Sequence, residues 1–278
     1  MMKCFEVVRG VLDATYEEIP ENGRDASIAA AIKTTSAKYG DVINSGGPNF
    51  DSAQTRFGYV YTYVPAHAHW VYDLLKKDDA CQKIFQSGNA RISCIGGGPG
   101  SDLVGVLKYL DKEEIECKLF VEMIDGCSAW KSTWVDVAYN LEWSKPLHTD
   151  YVIHDVAHKN TWSAPSSTSK ADIIIFSFFL SEIFHLGTKA EEYVAKILSS
   201  AKKGALLLVN DLRLTDIKTT IDSLASKNGY ETLEADEESQ NRVYDRDEDA
   251  SELKAYTEKF GTAPRLKGNM FWRIYKKK

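Results

Sequence analysis

Residues 91–110 read RISCIGGGPGSDLVGVLKYL. The apolar run ending at Ile95 reads as a short strand, and the segment GGGPG, with Gly96, Gly98 and Gly100, as a tight turn. Leu103, Val106, Leu107 and Leu110 then recur at i, i+3, i+4 and i+7, the spacing of one helix face. Glycine is needed where the backbone turns sharply, or where a ligand must approach closer than a Cβ allows. A strand, a glycine turn and a helix start in succession are how α/β proteins hold a nucleotide-like ligand at the carboxyl edge of a parallel sheet.

The same rhythm continues toward the carboxyl terminus. KLFVEMI at 118–124 reads as a second strand, followed by a helix carrying Trp130, Trp134, Val137 and Leu141. Residues 150–154 make a third strand. ADIIIF at 171–176 makes a fourth, whose unbroken apolar run suits a central strand covered on both faces. A helix with Ala190, Tyr193, Val194, Ile197 and Leu198 stops at Gly204, and GALLLVN at 204–210 is a fifth strand. Ile217, Ile221 and Leu224 mark a further helix, a sixth strand starts near Tyr230, and MFWRIY at 270–275 is the last. This alternation predicts an α/β fold, a seven-stranded, mostly parallel sheet with helices on both faces. The acidic run 234–252 reads as a solvated connection or as a loop that attracts a cation, and a short helix with Leu253, Tyr256 and Phe260 follows it.

The first 88 residues lack this alternation and read as an N-terminal helical cap or lid on a main domain of 89–278. Asp25 or Ser27 starts a helix bearing Ile28, Ala31 and Ile32 that ends at Tyr39-Gly40, and INSGGPNFDS at 43–52 is a loop. RFGYVYTYVPAHAHWVYDLL at 56–75 is dense in aromatic residues. Its alternating Tyr59, Tyr61 and Tyr63 fit a strand, but Trp70, Val71, Leu74 and Leu75 keep helical spacing, so a helix broken or restarted at Pro65 is expected. The run is either a hairpin packed on the main domain or a lid whose Tyr59, Tyr63 and Trp70 wall a substrate pocket.

At 278 residues the chain can bury a sizeable core, and no apolar run approaches the roughly 20 residues that a bilayer span needs. The start MMKCFEVVRG lacks the apolar region and small-residue cleavage site of a secretory signal, so the cytosol is the expected compartment. Five cysteines, odd in number and without a CxxC pair, fit reduced thiols better than disulfides or a zinc site. The net charge of -6 argues against a broad nucleic-acid footprint; Lys276, Lys277 and Lys278 at the terminus read as a solvated end.

Ligands in such sheets sit beyond the carboxyl ends of the strands. There the sequence places GGGPG, Asp125, Asp155, Ser177 and Asp211 in succession. With these residues the chain resembles the class I S-adenosylmethionine-dependent methyltransferases over its last two-thirds. The turn matches their G-x-G-x-G pattern at Gly96, Gly98 and Gly100, IHDVAH supplies Asp155, and DIIIFSFFLSEIF matches their fourth-strand motif. The resemblance implies S-adenosylmethionine as cofactor, with Asp125 accepting from the ribose hydroxyls and Asp155 from the adenine amino group. It also implies Val156 against the ring, Ser177 and Phe178 near the methionine part and the transferred methyl, and an antiparallel last strand.

The chain departs from the family in its first strand, where Ser93-Cys94-Ile95 replaces an acidic residue common in relatives. Glu122 competes with Asp125 for the ribose but falls inside its strand. Asp102 reads as a first-turn carboxylate complementing the helix dipole, and Asp211 as either a cleft wall contacting substrate or a cap. His67, His69, His154 and His158 read as structural or solvent-facing, and no metal is suggested; His185 is the candidate substrate-contacting base. The expected activity is methyl transfer to N or O of a small molecule, with the aromatic cap closing over a flat or cationic acceptor; aromatic faces and an acidic rim would both suit an amine. An RNA base methyltransferase and a non-catalytic adaptor are the alternatives. No membrane partner is expected.

Overall fold

The computed structural model describes residues 3–141, 143–164, 166–243 and 248–278. Five helices come first: α1 (Cys4–Glu18), α2 (Arg24–Tyr39), α3 (Val42–Ser45), α4 (Ala53–Leu75) and α5 (Asp79–Gln86). Alternation then begins with β1 (Asn89–Ile95), α6 (Ser101–Lys112), β2 (Lys118–Asp125), α7 (Trp130–Asn140) and β3 (Leu147–Ile153). It continues through β4 (Ile173–Ser177), α8 (Phe179–Ile183), α9 (Thr188–Ser200), β5 (Leu206–Leu212) and α10 (Thr215–Lys227). The chain closes with β6 (Tyr230–Val243), α11 (Lys254–Phe260) and β7 (Lys267–Lys277).

The seven strands form one sheet in the order β3-β2-β1-β4-β5-β7-β6. β1 pairs in parallel with β2 on one side and β4 on the other, with Ile95 beside Ile124 and Phe176. β7 runs antiparallel between β5 and β6, as expected of the last strand. The strand order reverses direction at β1 and β4, which opens a crevice above their carboxyl ends.

Strand side chains alternate between faces, so the sheet separates two cores. Ile92, Cys94, Val121, Met123, Ile173, Ile175, Leu206 and Leu208 share one with α1, α2, α4, α5, α6 and α7. Ile95, Ile124, Ile174, Phe176, Leu207 and Val209 share the other with α8, α9 and α10. The amino-terminal helices therefore bury their apolar residues in the same core as one face of the sheet.

α6 shows what that packing requires. Every residue from Ser101 to Leu110 is buried, not only the stripe Leu103, Val106, Leu107 and Leu110, because α4 covers the face turned away from the sheet. Gly105 permits the approach: a methyl group there would overlap the Ala68 carbonyl and the Val71 side chain of α4. Gly105→Ala is expected to cost about 1–3 kcal/mol by forcing the helices apart. A urea midpoint unchanged from wild type would show that the contact has room to give.

Two elements differ from the sequence reading. The aromatic run is one continuous helix through Pro65, neither broken nor restarted there. Proline removes one backbone donor and crowds the preceding turn; the Thr62 carbonyl in that turn accepts the Arg265 amide, 2.8 Å away, from outside the helix. The first part of the acidic run is not a loop, since β6 continues to Val243 along β7 with two register shifts. β6 is an edge strand, and exposed Glu231 and Glu234 suit an edge that must not pair with another chain. Residues 244–247 of the predicted acidic connection lie outside the described residues.

At its end the acidic run turns inward. The Glu248 carboxylate accepts the amides of Cys4 (3.1 Å) and Phe5 (3.2 Å) at the start of α1 and pairs with Lys108 of α6 at 2.5 Å. Lys108 is 1% exposed. The carboxylate thus satisfies two orphan donors of a helix start and one buried cation together. Among the described residues no helix is long and apolar enough to cross a membrane, and all five cysteines are free thiols.

Candidate functional site

The glycine turn is held by its neighbours at the strand ends. The amides of Gly96 and Gly97 both donate to the Ile124 carbonyl of β2, and the Gly98 amide donates to Asp125 Oδ2 at 3.0 Å. Asp125 Oδ1 accepts the Cys127 amide at 2.8 Å, so one carboxylate ties the first turn to the second. Gly96 has φ 70°. A Cβ at this position would lie 2.5 Å from the Phe179 ring, so both the conformation and the space require glycine.

Over this turn lies a cavity of about 290 Å³ lined by Gly96, Asp125, Asp155, Val156, Glu182 and His185, among others. Gly47, Pro48 and Phe50 close it from the amino-terminal side. Its charged lining residues, among those described, are Asp125, Asp155 and Glu182. Burial pushes Asp125 up to about 6 against the pull of its amide donors. Burial likewise pushes Glu182 up to about 8, opposed by the Tyr39 hydroxyl that donates to it and reinforced by Asp125 and Asp211. Asp155 accepts from the Ala157 amide and from His158 Nδ1 at 2.6 Å.

A second cavity, of about 420 Å³, lies on the other side of α8. It is lined by Tyr39, Tyr63, His67, Trp70 and Phe178, with Arg213, Arg265 and Lys267 as its charged residues among those described. No carboxylate lines it, in contrast to the acidic rim expected around an acceptor. Its floor is aromatic: the His67 and Phe178 rings stack at 4.1 Å and 6°, and Trp70 packs on Phe178 at 5.3 Å. Burial and the nearby Arg265 push His67 down to about 3, so its imidazole is neutral at pH 7.

The partition between the cavities is the β4–α8 junction. Phe178 turns the chain with φ 55°, a left-handed conformation that costs a non-glycine residue of order 1–3 kcal/mol. Its surroundings fix it: the Phe178 amide donates to the Asn210 carbonyl, and Asp211 accepts the amides of Ser181 (3.2 Å) and Leu212 (2.7 Å). Phe179, Glu182 and Ile183 consequently face the first cavity, while Phe178 and Ser181 face the second.

The predicted residues therefore fall into groups. Gly96, Asp125, Asp155 and Val156 meet at the first cavity; Gly98 and Gly100 shape the turn beneath it, Gly100 with φ 89° at the start of α6. Tyr63, Trp70 and Phe178 meet at the second. Ser177 lies buried at the end of β4 with its hydroxyl beside Asp102. His185, the candidate base, lines the first cavity, exposed and donating to the Glu182 carbonyl, and does not reach the second. Asp211 is fully buried, accepts the Ser181 amide at the start of α8 and lines neither cavity. Tyr59 is enclosed by Tyr39, Phe50, Tyr63, His67 and Trp130 and lines neither cavity.

Glu122, the rival of Asp125, is spent on the Ser166 hydroxyl (2.7 Å) and the Ser167 amide (2.8 Å). His154 is structural, bonded to Tyr193 and the Ala164 carbonyl. Asp102 does lie in the first turn of α6, but it is buried there. It is 2% exposed, and burial holds it well above the usual carboxylate range against the opposing pull of the Ser177 hydroxyl.

Sequence reading missed Tyr39, Glu182, His67, Arg213, Arg265 and Lys267. Arg213 had a signal, since it directly follows β5. Arg265 and Lys267 had a subtler one: an antiparallel β7 begins at the edge where the parallel strands end.

No family model and no curated protein sequence matches the chain. Solved structures do. An O-methyltransferase family protein from Burkholderia thailandensis is 11% identical, with 88% of this chain and 68% of that one covered, at a TM-score of 0.52. The 4+2 cyclase SpnF is 13% identical, covering 89% and 96%, at 0.48. Precorrin-6y C5,15-methyltransferase from Geobacter metallireducens is 12% identical, covering 76% and 88%, at 0.45. The chain has the class I, Rossmann-like methyltransferase fold. Likenesses at such identities concern the fold, and what the fold does is a matter of its site.

Proposed function

We propose that the chain is an S-adenosylmethionine-dependent methyltransferase that acts on a small molecule, with cofactor in the first cavity and acceptor in the second. The observation that carries this reading is the pairing of two adjoining cavities with opposite linings, one acidic beside the glycine turn and one aromatic and basic, divided by a single turn at Phe178.

The first lining fits the cofactor. Asp125 and Asp155 are acceptors when ionised, which suits the ribose hydroxyls and the adenine amino group, and Val156 offers an apolar surface. Asp102 and Ser177, buried beside one another near the turn, offer polar groups suited to the amino end of the methionine part. When bound, S-adenosylmethionine supplies a methyl group on a positively charged sulfur. The chain aligns, encloses and excludes water, which is most of what an in-line displacement asks of a protein. Residues 1–88 act as the cap, contributing Phe50 to the first cavity and Tyr39, Tyr63, His67 and Trp70 to the second. His67 lines the second cavity as a neutral ring stacked on Phe178; burial and Arg265 make it a weak proton acceptor, so it serves the acceptor as a surface and not as a base. A cavity of about 420 Å³ falls within the roughly 300–1,000 Å³ of small-molecule sites.

Calorimetric titration with S-adenosylhomocysteine tests the reading. Saturating ligand, at a hundred times Kd, should stabilise the protein by about 2.7 kcal/mol; absence of both heat and thermal shift would refute the cofactor assignment. The affinity should also depend on pH. Ionised Asp125 is the stronger acceptor and carries no proton of its own to place, so binding is expected to tighten as pH rises through about 6 and to level off above it. A flat profile from about pH 5 to 8 would remove Asp125 from the ligand's contacts.

A further inference from the structure

The second cavity is supplied mainly with groups that lack an acceptor. Arg213, Arg265 and Lys267 form no side-chain hydrogen bond or ion pair with a described residue. Trp70 Nε1, which only donates, and the Tyr63 hydroxyl are buried and unpartnered. No carboxylate among the described residues lines the cavity to balance the three cations, and Glu182, the nearest acid on α8, is turned to the other side and bonded to Tyr39. Two buried, unmet groups and three exposed cations without a carboxylate partner among the described residues, set around an aromatic floor, fit a ligand with a flat apolar body and negatively charged oxygen.

We infer that the second cavity selects a planar small molecule bearing an oxyanion, a carboxylate or a phosphate, its rings on Phe178, His67 and Trp70 and its charge toward Arg265, Lys267 and Arg213. An amine is excluded by the same three cations. Calling this ligand the methyl acceptor rests on the function proposed above; the anion preference itself does not.

A matched series of probes tests it by calorimetry: naphthoate, naphthyl phosphate, neutral naphthamide and cationic naphthylmethylamine. At least one of the two anions should bind about tenfold tighter than the amide or more, and the amine weakest. The tighter anion identifies which oxyanion the site is built for. In the double variant Arg265→Gln, Lys267→Gln the preference should vanish while S-adenosylhomocysteine affinity stays within about twofold of wild type. Equal binding of amide and anion, tightest binding of the amine, binding of none of the four, or a preference that survives the double variant would each overturn the inference. So would steeply salt-dependent binding of total RNA that the double variant abolishes while the naphthalene series shows no anion preference. Loss of the cofactor reading looks different: the anion preference persists while S-adenosylhomocysteine gives no heat.

Discussion

Glu248→Ala is expected to lower stability by about 3–5 kcal/mol, because it leaves a buried cation without its partner. Lys108 sits 1% exposed in α6, and the Glu248 carboxylate at 2.5 Å is its ion-pair partner. The same carboxylate holds the first amides of α1, so its removal also uncaps that helix. The matched control is Glu252→Ala, four residues on, which breaks a pair with Arg9 whose side chain is 52% exposed; a loss of about 1 kcal/mol or less is expected. Urea unfolding compares the two, and equal midpoints would mean that Lys108 finds another partner or reaches water.

Asp125→Ala is expected to weaken S-adenosylhomocysteine binding by about a hundredfold or more, from two lost hydrogen bonds to a charged acceptor at about 1.5–3 kcal/mol each. Glu122→Ala should act on stability instead. Its carboxylate anchors Ser166 and Ser167 and is 6% exposed, so the affinity should stay within about threefold of wild type while the unfolding midpoint falls. Reversal of this order would transfer the ribose contact to Glu122. Because Asp125 also holds the Gly98 and Cys127 amides, Asp125→Asn separates the roles, keeping an oxygen for one amide but losing the charge. Stability of the unliganded protein should move the opposite way with pH. The folded-state pKa of about 6 for Asp125 and for Asp211 lies above the ordinary aspartate value of 3.8, so stability present near pH 3.8 declines as pH rises through about 6.

The sheet was legible because a parallel strand covered on both faces announces itself as an apolar run, and IIIF, LLLV and the strand before the glycines all do so. The residues directly after those strands were legible for the same reason, since position beyond a strand end follows from the strand. Pro65 misled because the local rule counts a lost hydrogen bond and a clash. It omits a distant segment, here Arg265, that meets the Thr62 carbonyl of the same turn. The acidic run misled because solvation and edge-strand membership share a composition.

Residues 91–110 by themselves determined the nucleotide-type turn, and with Asp125 and Asp155 they determined the cavity it belongs to, because those features depend on neighbours close in sequence or on strand ends. Tertiary structure alone decided the second cavity. Its walls come from α2, α4, the β4–α8 junction and the approach to β7, segments more than 200 residues apart, and charge becomes a lining only where such segments meet. Each of Arg213, Arg265 and Lys267 reads in sequence as an ordinary surface cation. Only the fold sets them around one aromatic floor with no carboxylate to neutralise them.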